Sequence, residues 1–337
     1  MLKYQTIICR LLAPLFLLIF SATLLLSCVD NTKRNTDNYT IQDVFSANYD
    51  VSQLDNSDKN SEIKYGYQIF QNTPKYIGSE ALDINMVYTG NRLSCNNCHL
   101  KGGTKPYAMP LIGVIQKFPQ YRGREDKIGT IEERINGCME RSMNGKMLPD
   151  AGKEIKAIIA YLSWLGKNAP KDGKIKGQGL VEINIPNRAV DLKRGKEVFN
   201  NTCVACHGTN GQGVRLTDSL NYQYPPLWGK GSYNNGAGMT RVITAAQFIK
   251  ANMPFGTNYD APLLTDEEAY DVAGYINQQS RPEKQNLEKD FPDLKKKPVS
   301  TPYPPFADSF SVEQHQLGPF PPIMMYYKTQ YNLEKNK

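Results

Sequence analysis

Two pentapeptides constrain this chain more than anything else in it: Cys95-Asn-Asn-Cys98-His99 and Cys203-Val-Ala-Cys206-His207. Each sets an imidazole directly behind a pair of thiols, the arrangement in which the thiols add to the vinyl groups of a haem and the histidine reaches its iron. One isolated copy would be compatible with chance or with zinc. Two copies in matching surroundings specify two covalently bound haem c groups, held by Cys95 and Cys98 with His99 on the metal, and by Cys203 and Cys206 with His207.

The surroundings do match. Gly66-Tyr-Gln-Ile69-Phe70-Gln-Asn72-Thr73 repeats as Gly195-Lys-Glu-Val198-Phe199-Asn-Asn201-Thr202, and Pro110-Leu111-Ile112-Gly113 as Pro226-Leu227-Trp228-Gly229. Glu154 to Leu162 likewise aligns with Glu268 to Ile276. In the first copy a 21-residue insertion, Pro74 to Ser94, precedes the motif. Helix, haem motif, loop, helix is the order of a class I cytochrome c domain, so the predicted fold is mainly α, with two such domains in tandem. At 337 residues and 40% hydrophobic content, the chain is long enough for two cores.

The predicted boundaries follow from composition. Residues 1–27 read as a lipoprotein signal peptide: Lys3 and Arg10 precede a 16-residue apolar stretch, Leu11 to Leu26, too short to span a membrane comfortably. Leu25-Leu26-Ser27-Cys28 resembles a lipobox, which predicts lipid on Cys28 and a periplasmic, membrane-anchored protein. Residues 28–60, rich in Asn, Asp, Ser and Thr, read as a flexible tether. Domain 1 covers 61–166, a Gly- and Pro-punctuated linker 167–192, and domain 2 193–281. Residues 282–337 hold nine prolines, which predicts a tail without regular helix that wraps over both domains. Cleavage leaves 38 basic against 33 acidic side chains, a modest +5 that haem propionates would offset, so nucleic acid is not an expected partner.

Of seven cysteines, Cys9 leaves with the signal, Cys28 takes lipid and four hold haem. Cys138 is left over.

Each iron needs a sixth ligand or a vacancy. In domain 2 Met253, before Pro254, lies 46 residues after His207 in the usual loop position, with Met239 as the alternative. In domain 1 the counts divide. Met147-Leu-Pro149 lies 48 residues after His99, yet Cys138 stands 23 residues before Tyr161, against 22 for Met253 and Tyr275. The repeat alone leaves both open.

Local chemistry adds to the case for Cys138. Thr130 and Glu133 form a capping box, so a helix should begin there and run past the cysteine. On it Arg134, Cys138 and Ser142 share a face. Such neighbours favour thiolate and can hold an oxyanion, and Arg122, Arg124 and Arg141 extend the cationic cluster. His315, the remaining histidine, is read as structural or as lying near a substrate entrance.

These residues resemble the thiosulfate dehydrogenase family. The likeness is carried by Gly90 to Leu100, by Gly123-Arg124 with Thr130 to Gly145, by Lys250-Ala-Asn-Met253-Pro254 and by Pro304 to Phe320. It implies Cys138 as the axial ligand of an active-site haem opposite His99, with Arg124, Arg134 and Ser142 around an anion pocket, and Met253 on an electron-transfer haem. Some relatives carry a lysine ligand next to that methionine; here Asn252 stands there, against such an exchange. The implied reaction couples two thiosulfates to tetrathionate, or the reverse, with electrons passing from haem 1 to haem 2 and on to a periplasmic cytochrome or similar carrier. The alternative from another class is a non-catalytic dihaem electron-transfer protein with Met147 on the first haem. A dihaem peroxidase lacks a recognisable acid-base residue, and a thiotransferase acting on a carrier protein is the nearest chemical neighbour.

Overall fold

The computed structural model describes residues 44–217 and 221–335; the expected signal peptide, Cys9, Cys28 and the first half of the tether lie outside them. Eight helices carry the argument: α1 Asp58–Gln71, α2 Ile131–Arg141, α3 Lys153–Leu165, α4 Leu192–Thr202, α5 Val242–Asn252, α6 Asp266–Gln278, α7 Val312–Leu317 and α8 Phe320–Tyr331. A short antiparallel hairpin, β1 Gln120–Arg122 with β2 Lys127–Gly129, precedes α2.

In each domain the opening helix crosses the closing one, and a glycine makes the crossing possible. A Cβ at Gly66 on α1 would stand 1.9 Å from the Ala157 carbonyl oxygen of α3, and one at Gly195 on α4 would stand 2.2 Å from that of Asp271 on α6. No side chain fits at either distance, so the repeated glycine records two backbones in contact. Beside the first crossing Ile69, Phe70, Ile155 and Tyr161 are buried, and beside the second Phe199, Tyr270 and Val272. Each large apolar side chain so buried contributes roughly 1.5–3 kcal/mol.

The repeat persists in the loops behind the haem motifs. Leu111 N–H donates to Gly103 O and Leu227 N–H to Gly211 O, both at 2.8 Å. Gly103 and Gly211 both have positive φ, +82° and +57°, which suits glycine.

Two expectations change. The latter part of the tether is packed: Val44 is buried in the domain 1 core, and Tyr49 donates to Val44 O and meets Trp164 edge-on. Sparse apolar residues gave no periodic pattern to read, yet Val44, Phe45, Tyr49, Val51 and Leu54 all find domain 1. The tail does contain regular helix, the 12 residues of α8, because Pro321 and Pro322 sit in its first turn, where an amide N–H has no partner to lose.

The connecting segments tie the domains together. Residues between α3 and α4 run along domain 1, with Tyr107 N–H donating to Gly177 O and Met109 N–H to Gly179 O. The tail meets both halves: Phe291 N–H donates to Arg124 O, while Val299, Phe320, Ile323 and Tyr327 complete the domain 2 core. A loop of domain 2 closes over domain 1, placing Tyr233 and Ala237 in its core. Asn234 Nδ2 donates to Glu140 O at 2.8 Å, and Asn91 Nδ2 to Ser232 O at 3.2 Å.

Candidate active site

The site is built outward from α2. Thr130 Oγ1 accepts from the Glu133 amide at 3.3 Å, and the Glu133 carboxylate accepts from the Thr130 amide at 2.9 Å, so the capping box starts the helix. The inner face is fixed by Asn136, whose amide group donates to Leu148 O and accepts from Leu148 N–H. With that face committed, Arg134, Cys138 and Ser142 turn to a cleft on another side.

The cleft encloses about 920 Å³ between atoms, counting its open mouth. Phe70, Leu93, Leu111, Val114, Ile158 and Leu162 give it an apolar lining, and Cys95, Cys98 and His99 open into it from the side of the first motif. His99 Nδ1 donates to Met109 O at 2.6 Å; a carbonyl only accepts, so the lone pair is left on Nε2. Across the cleft stands Cys138. Both motif thiols are raised chiefly by burial, Cys95 to about 11 and Cys98 to about 12. Burial would raise Cys138 too, but the charge of the neighbouring Arg134, ahead of the smaller influence of nearby His99, brings it down to about 6. An apolar slot with two buried thiols, an oriented imidazole and a thiolate-prone sulfur opposite fits a covalently held haem.

The second motif follows the same plan. His207 is buried and its Nδ1 donates to Pro225 O at 2.8 Å, the position that Met109 O takes in the first copy. Burial holds its pKa below the usual imidazole value, which favours the neutral form that can bind metal. Cys203, Leu227, Trp228 and Met253 pack against the surrounding core. Met239, the other candidate, packs against the cores of both domains. Its carbonyl accepts from Asn277 Nδ2 at 3.0 Å.

The other expectations sort by position. Arg134 Nη1 donates to Cys138 Sγ at 2.8 Å, and Ser142 lines the same cleft. Met147, the rival for domain 1, is 59% exposed and stands outside that lining. Arg124 does not line the cleft: Asp290 of the tail and the Tyr303 hydroxyl, at 2.9 Å, take up its guanidinium. Arg141 is held by the other oxygen of Asp290, at 2.6 Å. His315 is a tail pin, with Nδ1 donating to Val299 O at 2.7 Å, Nε2 2.9 Å from Asp308, and its ring stacked on Phe306. Sequence reasoning missed Arg241, which domain 2 brings to the same cationic cluster.

Two helical domains, each closing its crossed helices around a Cys-x-x-Cys-His motif, define a tandem cytochrome c. Residues 192–280 match the cytochrome c family, and residues 85–170 match the SoxA/TsdA cytochrome c domain. Over 69% of its length the chain is 40% identical to thiosulfate dehydrogenase of Thiomonas intermedia (strain K12), covering 70% of that protein. Against the enzyme of the same name from Stutzerimonas stutzeri (strain A1501) it is 38% identical, over 67% of this chain and 69% of the relative. The solved thiosulfate dehydrogenase (TsdBA) of Marichromatium purpuratum, as isolated, superposes with a TM-score of 0.63 at 34% identity. That match covers 70% of this chain, which spans about half (49%) of the TsdBA chain. The chain belongs to the thiosulfate dehydrogenase family.

Proposed function

We propose that this protein couples two thiosulfates into tetrathionate, or runs the reverse reduction, at Cys138. The observation that carries the reading is the placement of Cys138 in an apolar cleft opposite His99 with Arg134 Nη1 2.8 Å from its sulfur. An isolated structural thiol has no need of a guanidinium; a sulfur that must be a thiolate and receive a dianion does.

The chain offers sites for two haem c groups, at Cys95, Cys98 and His99 and at Cys203, Cys206 and His207. Cys138 would complete the hold on the first haem's iron with His99, and Met253 on the second with His207. Haem c supplies a one-electron carrier at each place. Everything else is the work of side chains. Arg134 holds the Cys138 sulfur as thiolate and draws in the first thiosulfate, whose outer sulfur bonds to Cys138 with loss of two electrons, giving a cysteine S-thiosulfonate. The second thiosulfate attacks the sulfur that carries the sulfonate; that sulfur's bond to Cys138 breaks, tetrathionate departs and the thiolate is restored. Ser142 is placed to hydrogen-bond an oxyanion in the same cleft. The electrons leave for an external carrier, a periplasmic cytochrome or a protein like it.

The location rests on sequence: Lys3, Arg10, the apolar stretch to Leu26 and the Leu25 to Cys28 lipobox support export and lipid anchoring through Cys28. The test of the activity is formation of tetrathionate from thiosulfate with ferricyanide as acceptor and no carrier protein. A plain electron-transfer protein would form none.

A further inference from the structure

One thiosulfate brings one sulfonate and tetrathionate brings two. Arg134 is engaged with the Cys138 sulfur itself, so a second sulfonate needs another cationic seat.

On α2, Arg134, Gly137, Cys138 and Arg141 recur at spacings of three and four and share one stripe. The two arginines bracket the middle pair, of which one is the reactive sulfur and the other a glycine. Glycine forms helix less readily than alanine, and here its missing side chain leaves room on which two guanidinium groups converge. A Cβ at Gly137 would stand 3.3 Å from Arg122 Nη2 and 3.7 Å from Arg141 Nη1. Arg122 reaches this place from β1; its side chain is 12% exposed and that of Arg141 11%. Neither lines the cleft itself. They flank it, over the residue that precedes Cys138.

Both guanidinium groups are incompletely satisfied. Glu125 takes Arg122 Nη2 at 2.9 Å through one oxygen, while Arg122 Nη1 and the other Glu125 oxygen are buried without a hydrogen-bond partner among the described residues. Asp290 takes Arg141 Nη2 at 2.6 Å and Glu140 comes only to 3.6 Å from Nη1, while Arg141 Nε is buried without a partner. Buried donors without acceptors carry a penalty that a bound oxyanion can relieve. Because both distances to Gly137 are measured from one point, Arg122 Nη2 and Arg141 Nη1 lie within 7.0 Å of each other. With hydrogen bonds of about 2.9 Å from either side, the edge of one sulfonate spans that gap.

We propose that Arg122 and Arg141, converging over Gly137, form an oxyanion seat beside the Cys138 cleft. It holds the sulfonate of the second thiosulfate and, in the reverse direction, the far sulfonate of tetrathionate. This rests on the reaction assigned above. Arg134 then orients the thiosulfate that bonds to Cys138, the seat over Gly137 orients the one that attacks, and Gly137 keeps the seat open.

The test uses the full haem-loaded protein and its Arg122→Gln, Arg122→Lys and Gly137→Ala variants. Readouts are KM for thiosulfate with ferricyanide and for tetrathionate with reduced viologen, thiosulfate affinity of the reduced protein by calorimetry, haem content, both midpoint potentials and Tm. Arg122→Gln should raise both KM values and weaken thiosulfate binding by roughly tenfold, as loss of a charge-assisted contact does, and Arg122→Lys should restore part of the loss. Gly137→Ala should raise KM severalfold while Tm holds or rises, since alanine suits a helix better and only the seat is narrowed. Haem content and potentials should match the parent. Unchanged KM and affinity in either Arg122→Gln or Gly137→Ala overturn the proposal; a lowered Tm with unchanged KM in Arg122→Gln would make Arg122 a strut between hairpin and helix. Weaker binding with a shifted potential of the first haem also overturns it, and would assign the pair to a haem propionate. A parent protein that forms no tetrathionate, yet loses thiosulfate affinity in both variants, strikes at the reaction and leaves the oxyanion seat standing.

Discussion

Arg134 Nη1 stands 2.8 Å from Cys138 Sγ, one helical turn away on the same face of α2. The contact is local, four residues apart, and it brings a fixed positive charge to a sulfur that burial alone would leave protonated. Replacing Arg134 with Gln removes a charge-assisted hydrogen bond worth about 1.5–3 kcal/mol, so kcat/KM for thiosulfate should fall roughly ten- to hundredfold. Steady-state kinetics with haem content held as a control measures it. An effect under twofold would remove Arg134 from the site.

Met147 sits 59% exposed, with no place in the cleft lining. Met147→Leu should leave the visible spectrum, the haem potentials and turnover unchanged, and should alter stability by less than about 0.5 kcal/mol. Loss of a methionine-ligand absorption band in that variant would show that the first haem binds Met147 after all.

Asp290 joins the tail to domain 1 through Arg124 and Arg141. Burial would raise its carboxyl pKa, but the two arginine charges and the hydrogen bonds from Tyr303 and Arg141 hold it below the usual carboxylate value. A carboxyl depressed in the folded state stabilises above its unfolded pKa, near 3.9, and that contribution is lost as pH falls through the lower folded value. Asp290→Asn should therefore destabilise the protein at neutral pH by about 3–5 kcal/mol, leaving two buried arginines with one neutral partner. The gap between parent and variant should narrow as pH drops below about 4. Thermal denaturation across pH follows both curves; a gap independent of pH would mean the carboxylate charge is not what matters.

The local parts of this architecture were legible in the residues. Thr130 and Glu133 marked the start of α2 because a capping box is a three-residue affair, and the four-residue spacing placed Arg134 and Cys138 on one face. Gly66 and Gly195 aligned because both record the same backbone crossing. The choice between Cys138 and Met147 was not legible in the repeat: counted from the haem histidine it favours one, and counted from the closing helix the other. The family resemblance implied Cys138, and the fold leaves Met147 exposed and outside the cleft lining. Arg241 was invisible for another reason. It is one arginine in a loop, and only the fold brings it within electrostatic reach of Arg124 and Arg134, more than a hundred residues earlier. The tail helix was misread because prolines were counted without regard to place, and at positions 321 and 322 they begin a helix.

The central claim is that the Cys138 sulfur carries the substrate. The most direct measurement is tetrathionate formation from thiosulfate and ferricyanide by Cys138→Gly, purified with the same haem content as the parent. The account predicts intact covalent haem and no tetrathionate, since no sulfur remains to form the thiosulfonate. Turnover retained near the parent rate, with haem content equal, would contradict it.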